Sequence, residues 1–273
     1  MEETASVDRG PTVLARTTRA ARSPRAIRIA SVIIVLIVWE IFGRANPLFT
    51  SYPTAIASAA IDLLFVEAEL IEAFGVTLPG LAAGYLIAAS VGVTLGFAMA
   101  ANRTLDIALD PYVTALYATP RITLIPLLVL WVGIDFKLRL AIVVLSAIFP
   151  IIINVRDGAK VVHRVLVDVA RCFSASRWQT FRTVTLPGSL PFLFVALRIG
   201  AQRAIIGVIV AEMTSAIAGT GRLLLDLAQF FQTDRLFVPI LAIGFFSIFV
   251  TWALQRLHDK VTPWERLGTG RIG

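Results

Sequence analysis

Apolar residues run in blocks too long for a soluble core, separated by short polar stretches. A membrane-crossing helix needs about 20 mostly apolar residues. Six stretches approach or exceed that: 27–42, 76–101, one within 107–134, 138–155, 190–213 and 236–257. Residues 51–65 carry a helix-start proline at Pro53 but are too short to cross, and read as a helix on the outer surface. The second stretch holds Gly80, Gly84, Gly92 and Gly96, two small-xxx-small pairs that let a neighbouring helix approach closely. The third holds Pro111, Pro120 and Pro126. Each proline removes a backbone donor and frees a carbonyl. That helix is therefore expected not to face lipid all round.

Composition agrees with the pattern. Hydrophobic residues make up 57% of the 273 positions and charged residues 16%, against roughly 25% charged in soluble domains. Mean hydropathy is +0.81. The net charge of +7 raises the possibility of nucleic acid, but its distribution speaks for a membrane and against nucleic acid. Arg9, Arg16, Arg19, Arg22, Arg25 and Arg28 lie at or before the first span, and Arg103 follows the second. Arg156, Lys160, Arg164, Arg171, Arg177 and Arg182 follow the fourth, and Arg256, Lys260, Arg266 and Arg271 lie at the end of the sixth or beyond. With six spans all of these fall on one side, the cytoplasmic side by the positive-inside rule. The opposite side receives Arg44, Lys137, Arg139, Arg222 and Arg235, diluted by seven carboxylates from Asp62 to Asp234. The expected fold is thus an all-α, multi-pass protein of the cytoplasmic (inner) membrane with about six spans and both termini inside. Residues 1–24 read as a disordered basic tail, 25–260 as the membrane domain, and 261–273 as a cytoplasmic tail. Pro24 after Ser23 fits a capped helix start.

One cytoplasmic segment, about 156–189, is built for more than connection. From Ala159 to Ser174 the polar residues Lys160, His163, Arg164, Asp168 and Arg171 alternate at helical period with an apolar stripe that includes Val165, Leu166, Val169 and Cys172. Ser174-Ala175-Ser176 interrupts, and Ser176 with Gln179 makes a capping box that starts a second helix carrying Trp178 and Phe181 and ending before Pro187. Exposed apolar side chains on such a helix pair fit a partner's groove. They also fit a loop lying on anionic lipid headgroups, and the physics alone leaves both open.

The same stretch resembles the EAA loop of permease subunits in binding-protein-dependent ABC importers. That pattern reads Glu-Ala-Ala, three residues, Gly, nine residues, Ile-x-Leu-Pro. Asp168, Val169, Ala170, Ser174, Val184, Leu186 and Pro187 occupy its places, with aspartate for glutamate, valine for the first alanine, serine for glycine and valine for isoleucine. SASRWQTFRTVTLP, LIPLLVLWVGID and IGVIVAEM look like the nitrate, sulfonate and taurine branch, and the likeness covers nearly everything after Pro53. It implies a type I ABC importer-like permease fold and a homodimer. It implies a cytoplasmic ATPase dimer that binds ATP and Mg and docks on Asp168, Val169, Ala170, Ser174, Trp178, Phe181, Leu186 and Pro187. It also implies an extracytoplasmic binding protein that delivers a small solute.

Other chemistry is sparse. The chain has no GxxxxGK[ST] loop, so ATP is not expected to bind here by that route, and no HExxH or GxSxG. Gly268 to Gly273 matches G-x-G-x-x-G with neither a preceding strand nor a following helix, and carries no dinucleotide reading. The lone Cys172 reads as a small apolar filler, and His163 and His258 as solvated cytoplasmic residues. No cofactor or metal is expected in the chain itself. Ionisable residues within spans are costly and often functional. Arg121 either faces the pathway, where it meets an anion, or marks the cytoplasmic edge of its span. Glu212 either forms a structural salt bridge or contacts a gate or pore. Arg198 and Arg203 snorkel or pair, and Glu40 reaches the outer interface. A secondary transporter driven by an ion gradient is the main alternative, and a membrane-embedded enzyme a weaker one.

Overall fold

The computed structural model describes residues 24–46, 50–162, 164–215 and 218–263. The expectations for the N-terminal tail, for Ser23 as a cap, for His163 and for the C-terminal glycine run fall outside them.

The described chain is helical throughout. Helix α1 spans Pro24–Ala45 and α2 Pro53–Ile61, which continues as a π turn at Asp62–Val66. Helix α3 spans Glu69–Ala101 and α4 Arg103–Ala118. A 3-10 turn at Arg121–Leu124 leads into α5, Ile125–Val132. Helix α6 spans Phe136–Val161, α7 Arg164–Cys172 and α8 Arg177–Thr180. A π turn at Phe181–Thr185 joins α8 to α9, Leu186–Ser215, and α10 (Thr220–Gln229) and α11 (Thr233–Val261) follow.

Local chemistry sets several boundaries. Asn102 Oδ1 accepts hydrogen bonds from the backbone N–H groups of Thr104 and Leu105 and so starts α4. Asp135 accepts from the N–H of Phe136 and starts α6. Gly133, at φ 77°, ends α5. Glu40, expected at the outer interface, accepts from both the N–H and the hydroxyl of Thr54 and so ties α1 to the first turn of α2. The expectation of a helix stop at Pro187 is corrected. Helical structure runs unbroken from Arg177 to Ser215. The wider π turn just before Leu186 gives the chain room where prolines at 187 and 191 cannot donate. The coupling segment also differs from one continuous helix at its start. Helix α6 runs to Val161, and α7 begins afresh at Arg164.

The number of crossings follows from how α3 and α6 pack. Each buried glycine of α3 faces a residue 59 positions later: Gly84 faces Val143, Gly92 faces Ile151, and Gly96 faces Val155. That constant offset makes the two helices parallel. Residues 102–135 must therefore carry the chain back across the membrane between them. They do so as a bent crossing, in which α4 and the segment Arg121–Val132 meet at 92° around Thr119 and Pro120. Helix α9 runs the other way against α6, with Gly158 beside Phe192, Gly200 beside Ile151 and Gly207 beside Ser146. With α1 and α11 this makes six crossings. Pro24 and Val261 lie on the same side as Lys160 and Arg177, the cytoplasmic side.

The core is the contact of α3, α6 and α9, filled by Leu81, Ala88, Val143, Ala147, Ile151, Val155, Ala196, Ala204 and Val208. Both small-residue pairs of α3 serve it. A Cβ built at Gly84 would stand 2.7 Å from Val143 Cβ, and one at Gly96 would stand 2.8 Å from Val155 Cβ. At the cytoplasmic end Arg156 pairs with Asp110, and Lys160 pairs with Asp106 at 2.5 Å. These ion pairs fasten α6 to α4. Helices α1 and α11 lie outside the core with most of their apolar side chains exposed.

Overpacking a tight interface costs about 1–3 kcal/mol. Gly84→Val should accordingly lower the thermal midpoint of the detergent-purified protein. Adding Val143→Ala should recover part of the loss. A midpoint unmoved by Gly84→Val would show that α3 and α6 do not touch there.

Candidate functional site

Two regions gather the residues that the sequence singled out. The first is the cytoplasmic helix pair. Helix α7 ends in a Schellman turn: the N–H of Ala175 bonds to the carbonyl of Ala170 at 3.0 Å, and Ser174 takes φ 56°. Serine thus adopts the left-handed conformation that glycine would adopt without strain. The expected capping box is present. Ser176 Oγ accepts from Gln179 N–H, and Gln179 Oε1 accepts from Ser176 N–H at 2.8 Å.

The pair presents an apolar surface. Leu166, Val169 and Trp178 are exposed, and Phe173 is 82% exposed. Asp168 and Ser174 are also exposed, while Ala170, Leu186 and Pro187 are half-buried. Phe181 is placed differently from Trp178. Its ring is half-buried, stacks on Trp178 at 5.6 Å and meets Phe97 of α3 edge-on at 5.4 Å. Phe181 therefore braces the helix pair against its own bundle, and Trp178 and Phe173 form the outward face.

The second region is a buried polar cluster at the outer end. Glu212 of α9 has no exposed surface. Its carboxylate accepts from Thr77 Oγ1 at 3.0 Å and from the N–H of Gly221 at 2.9 Å. Arg139 Nη1 lies 3.7 Å from Glu212 Oε1 and donates to the carbonyl of Val76 at 2.6 Å. Thr77 Oγ1 also accepts from the N–H of Thr220 at 2.9 Å. Four helices, α3, α6, α9 and α10, meet at this one carboxylate. Gly219 and Gly221 admit it, because a Cβ at Gly219 would collide with the carboxylate itself and one at Gly221 with Glu212 Cβ. Above the cluster opens a cavity of about 460 Å³ whose lining includes Glu69, Glu72, Arg222, Asp226 and Arg235.

Arg139, read as an outer-side charge, lies at the outer end of α6 but is buried there, only 8% exposed. No local signal marks it, because its partner lies on another helix. His258 is likewise not a solvated residue: its ring packs on Phe194 at 5.2 Å. Arg198 pairs with Gln255 of α11. Arg121 is half-buried at the break of the bent crossing, over the Tyr117 ring at 5.4 Å. Ile125, one turn later, packs with Leu138 and Ile142 in the outer half of α6, while Val113 packs with Phe149 and Ile152 further in. Arg121 therefore lies between those levels and not at the cytoplasmic edge. Among the described residues no cluster of His, Cys, Asp and Glu fits a metal ion.

Six crossings around a three-helix core, with a helix pair projecting into the cytoplasm and a broken third crossing, define an integral membrane permease. Residues 90–265 match the family described as the binding-protein-dependent transport system inner membrane component. The chain belongs to that family and is a permease subunit of an ABC importer. Similar proteins include the formylaminopyrimidine transport permease protein ThiX of Halalkalibacterium halodurans, 28% identical over 86% of this chain and 94% of its own. Another is the taurine transport system permease protein TauC of Escherichia coli K12, 26% identical over 88% of this chain and 90% of its own. In fold the chain is similar to the inward-facing MetNI methionine ABC transporter, with a TM-score of 0.61, 19% identity, and coverage of 71% of this chain and 96% of that one. Family membership favours ATP-driven import over the ion-gradient alternative.

Removing one partner of a buried ion pair costs about 3–5 kcal/mol, because the other charge is left uncompensated. Glu212→Ala should therefore lower the thermal midpoint of the purified protein sharply, and adding Arg139→Met should restore part of it. A double variant no more stable than Glu212→Ala would mean that the charge pair is not what the cluster depends on.

Proposed function

We propose that two copies of this chain form the translocation pathway of an importer and that each couples to a separate ATPase through the α7–α8 helix pair. The observation that carries this reading is the outward apolar face of that pair. Leu166, Val169, Phe173 and Trp178 are exposed on the cytoplasmic side, on a turn fixed at both ends by backbone and capping-box hydrogen bonds. A rigid, apolar, cytoplasmic projection fits the groove of a protein partner. A loop lying on headgroups has no need of such a fixed turn. ATP and Mg would be held by the ATPase. A binding protein outside would deliver the solute to the side where α10 and the Glu212 cluster lie. Relatives of similar identity are named for taurine and for formylaminopyrimidine, so overall likeness does not set the solute.

Truncating a large anchor at an interface costs 2 kcal/mol or more, roughly thirtyfold in affinity. Trp178→Ala and Phe173→Ala should each reduce recovery of the ATPase with the purified permease while membrane insertion is unchanged. Asp168→Lys should uncouple ATP hydrolysis from uptake through charge reversal at the contact. A headgroup-binding loop would tolerate that substitution. Normal ATPase recovery and uptake in all three variants would refute the coupling role.

A further inference from the structure

Helix α11 leaves a gap where it meets the core. A crevice of about 210 Å³ runs between Leu81 and Ala82 of α3, Ala201 and Ala204 of α9, and Phe246 and Val250 of α11. The methyl groups at positions 82, 201 and 204 are too short to fill it. Its wall carries one polar side chain among the described residues, Tyr85, whose hydroxyl already donates to the carbonyl of Leu197 at 2.9 Å. Water finds no partner in such a space, and apolar cavities take apolar guests. The crevice also turns away from the polar face of α9. At 100° per residue, exposed Gln202 and Arg203 each point about 130° away from the middle of the wall that Ala201 and Ala204 make. Polar groups at membrane depth face water or protein, so the crevice lies on the hydrocarbon side.

A track leads from it to the cytoplasmic face. Phe246, Val250, Ala253, Leu257 and Lys260 recur at helical spacing and form one stripe of the continuous helix α11. Ala253, Leu257 and Lys260 are exposed, so none of the described residues covers the stripe between the crevice and the cytoplasm. From Val250 to Lys260 the helix rises about 15 Å, half the thickness of a hydrocarbon core of about 30 Å. Arg256 stands beside Leu257, exposed, with its guanidinium over the Trp252 ring at 5.0 Å. Among the described residues neither Arg256 nor Lys260 has an ion pair.

Two cations without a counter-charge at headgroup level favour an anion. The apolar stripe between them and the crevice has the length of one leaflet. We propose that this side of α11 binds an anionic phospholipid of the cytoplasmic leaflet, with its phosphate on Lys260 and Arg256 and the end of one acyl chain in the crevice. A zwitterionic lipid brings its own counter-charge and satisfies the two cations less well. The bound chain fills the seam of α3, α9 and α11, which the contact of Arg198 with Gln255 otherwise ties nearer the cytoplasm.

Photolabelling tests it. The full-length protein is reconstituted in phosphatidylcholine vesicles that contain a trace of phosphatidylglycerol or of phosphatidylcholine with a diazirine at the end of one acyl chain. After irradiation the labelled positions are mapped by peptide mass spectrometry. The phosphatidylglycerol probe should label Tyr85, Phe246 and Val250 roughly tenfold more than the phosphatidylcholine probe. Lys260→Gln with Arg256→Gln, both on the surface, should abolish that preference. Ala204→Leu, which fills the crevice, should move the label to the exposed stripe. Equal labelling by the two probes would overturn the site, and so would a preference that survives the double substitution. A crevice labelled by neither probe would also overturn it, and would mean that a second copy of this chain covers the gap or that it stays empty.

Discussion

Helices inside a bilayer gain little from leaving lipid, because hydrocarbon is as apolar as their own side chains; close packing and polar contacts must hold them. In this chain that constraint is met around α6. Ile151 is fully buried between Gly92 of α3 and Gly200 of α9. Val143 and Val155 fill the steps at Gly84 and Gly96 in the same way. The glycine contacts fix not only distance but direction. They make α3 parallel to α6, and so compel the intervening chain to recross as a bent segment. They make α9 antiparallel, and so bring Glu212 up beside Thr77. The positions of Arg121 and of the outer cluster both follow from the register of small residues.

The outer cluster shows what a packed membrane core can hold that an isolated helix cannot. A carboxylate on a lone helix would be expelled from hydrocarbon. Here it is surrounded by donors that three other helices supply: the Thr77 hydroxyl, the Gly221 amide and the Arg139 guanidinium. Helix α10 contributes through backbone N–H groups near its start, where peptide dipoles favour a negative charge. One residue thereby joins the short outer helix to the long crossings.

Much of this was legible along the chain, for a physical reason. Spans are set by apolar length, and the turn between α7 and α8 by Ser176 and Gln179, which act within three positions of each other. Gly84 and Gly96 announced a close contact, though not with which helix. What escaped is non-local or compensated. The burial and pairing of Arg139 leave no local trace, because its partner lies 73 positions away at Glu212. Pro187 looks like a terminator because its missing donor is local, whereas the π turn that absorbs it needs only one extra residue in the coil. Phe181 and Trp178 look alike in sequence. Only the position of Phe97 separates the ring that braces the pair from the ring that faces outward.

The π turn carries a mechanical consequence. Because helical structure continues from Arg177 to Ser215, the capped start of α8 and the carboxylate of Glu212 lie near the two ends of a single rod of 39 residues, about 58 Å long at 1.5 Å per residue. Helix α6 is locked to much of that rod through Gly158, Gly200 and Gly207, so the rod does not tilt alone. A rotation of only a few degrees about its middle would shift each end by an ångström or more in opposite directions. The chain thus has lever geometry, with its fulcrum near Gly200 and its two arms reaching opposite faces of the membrane.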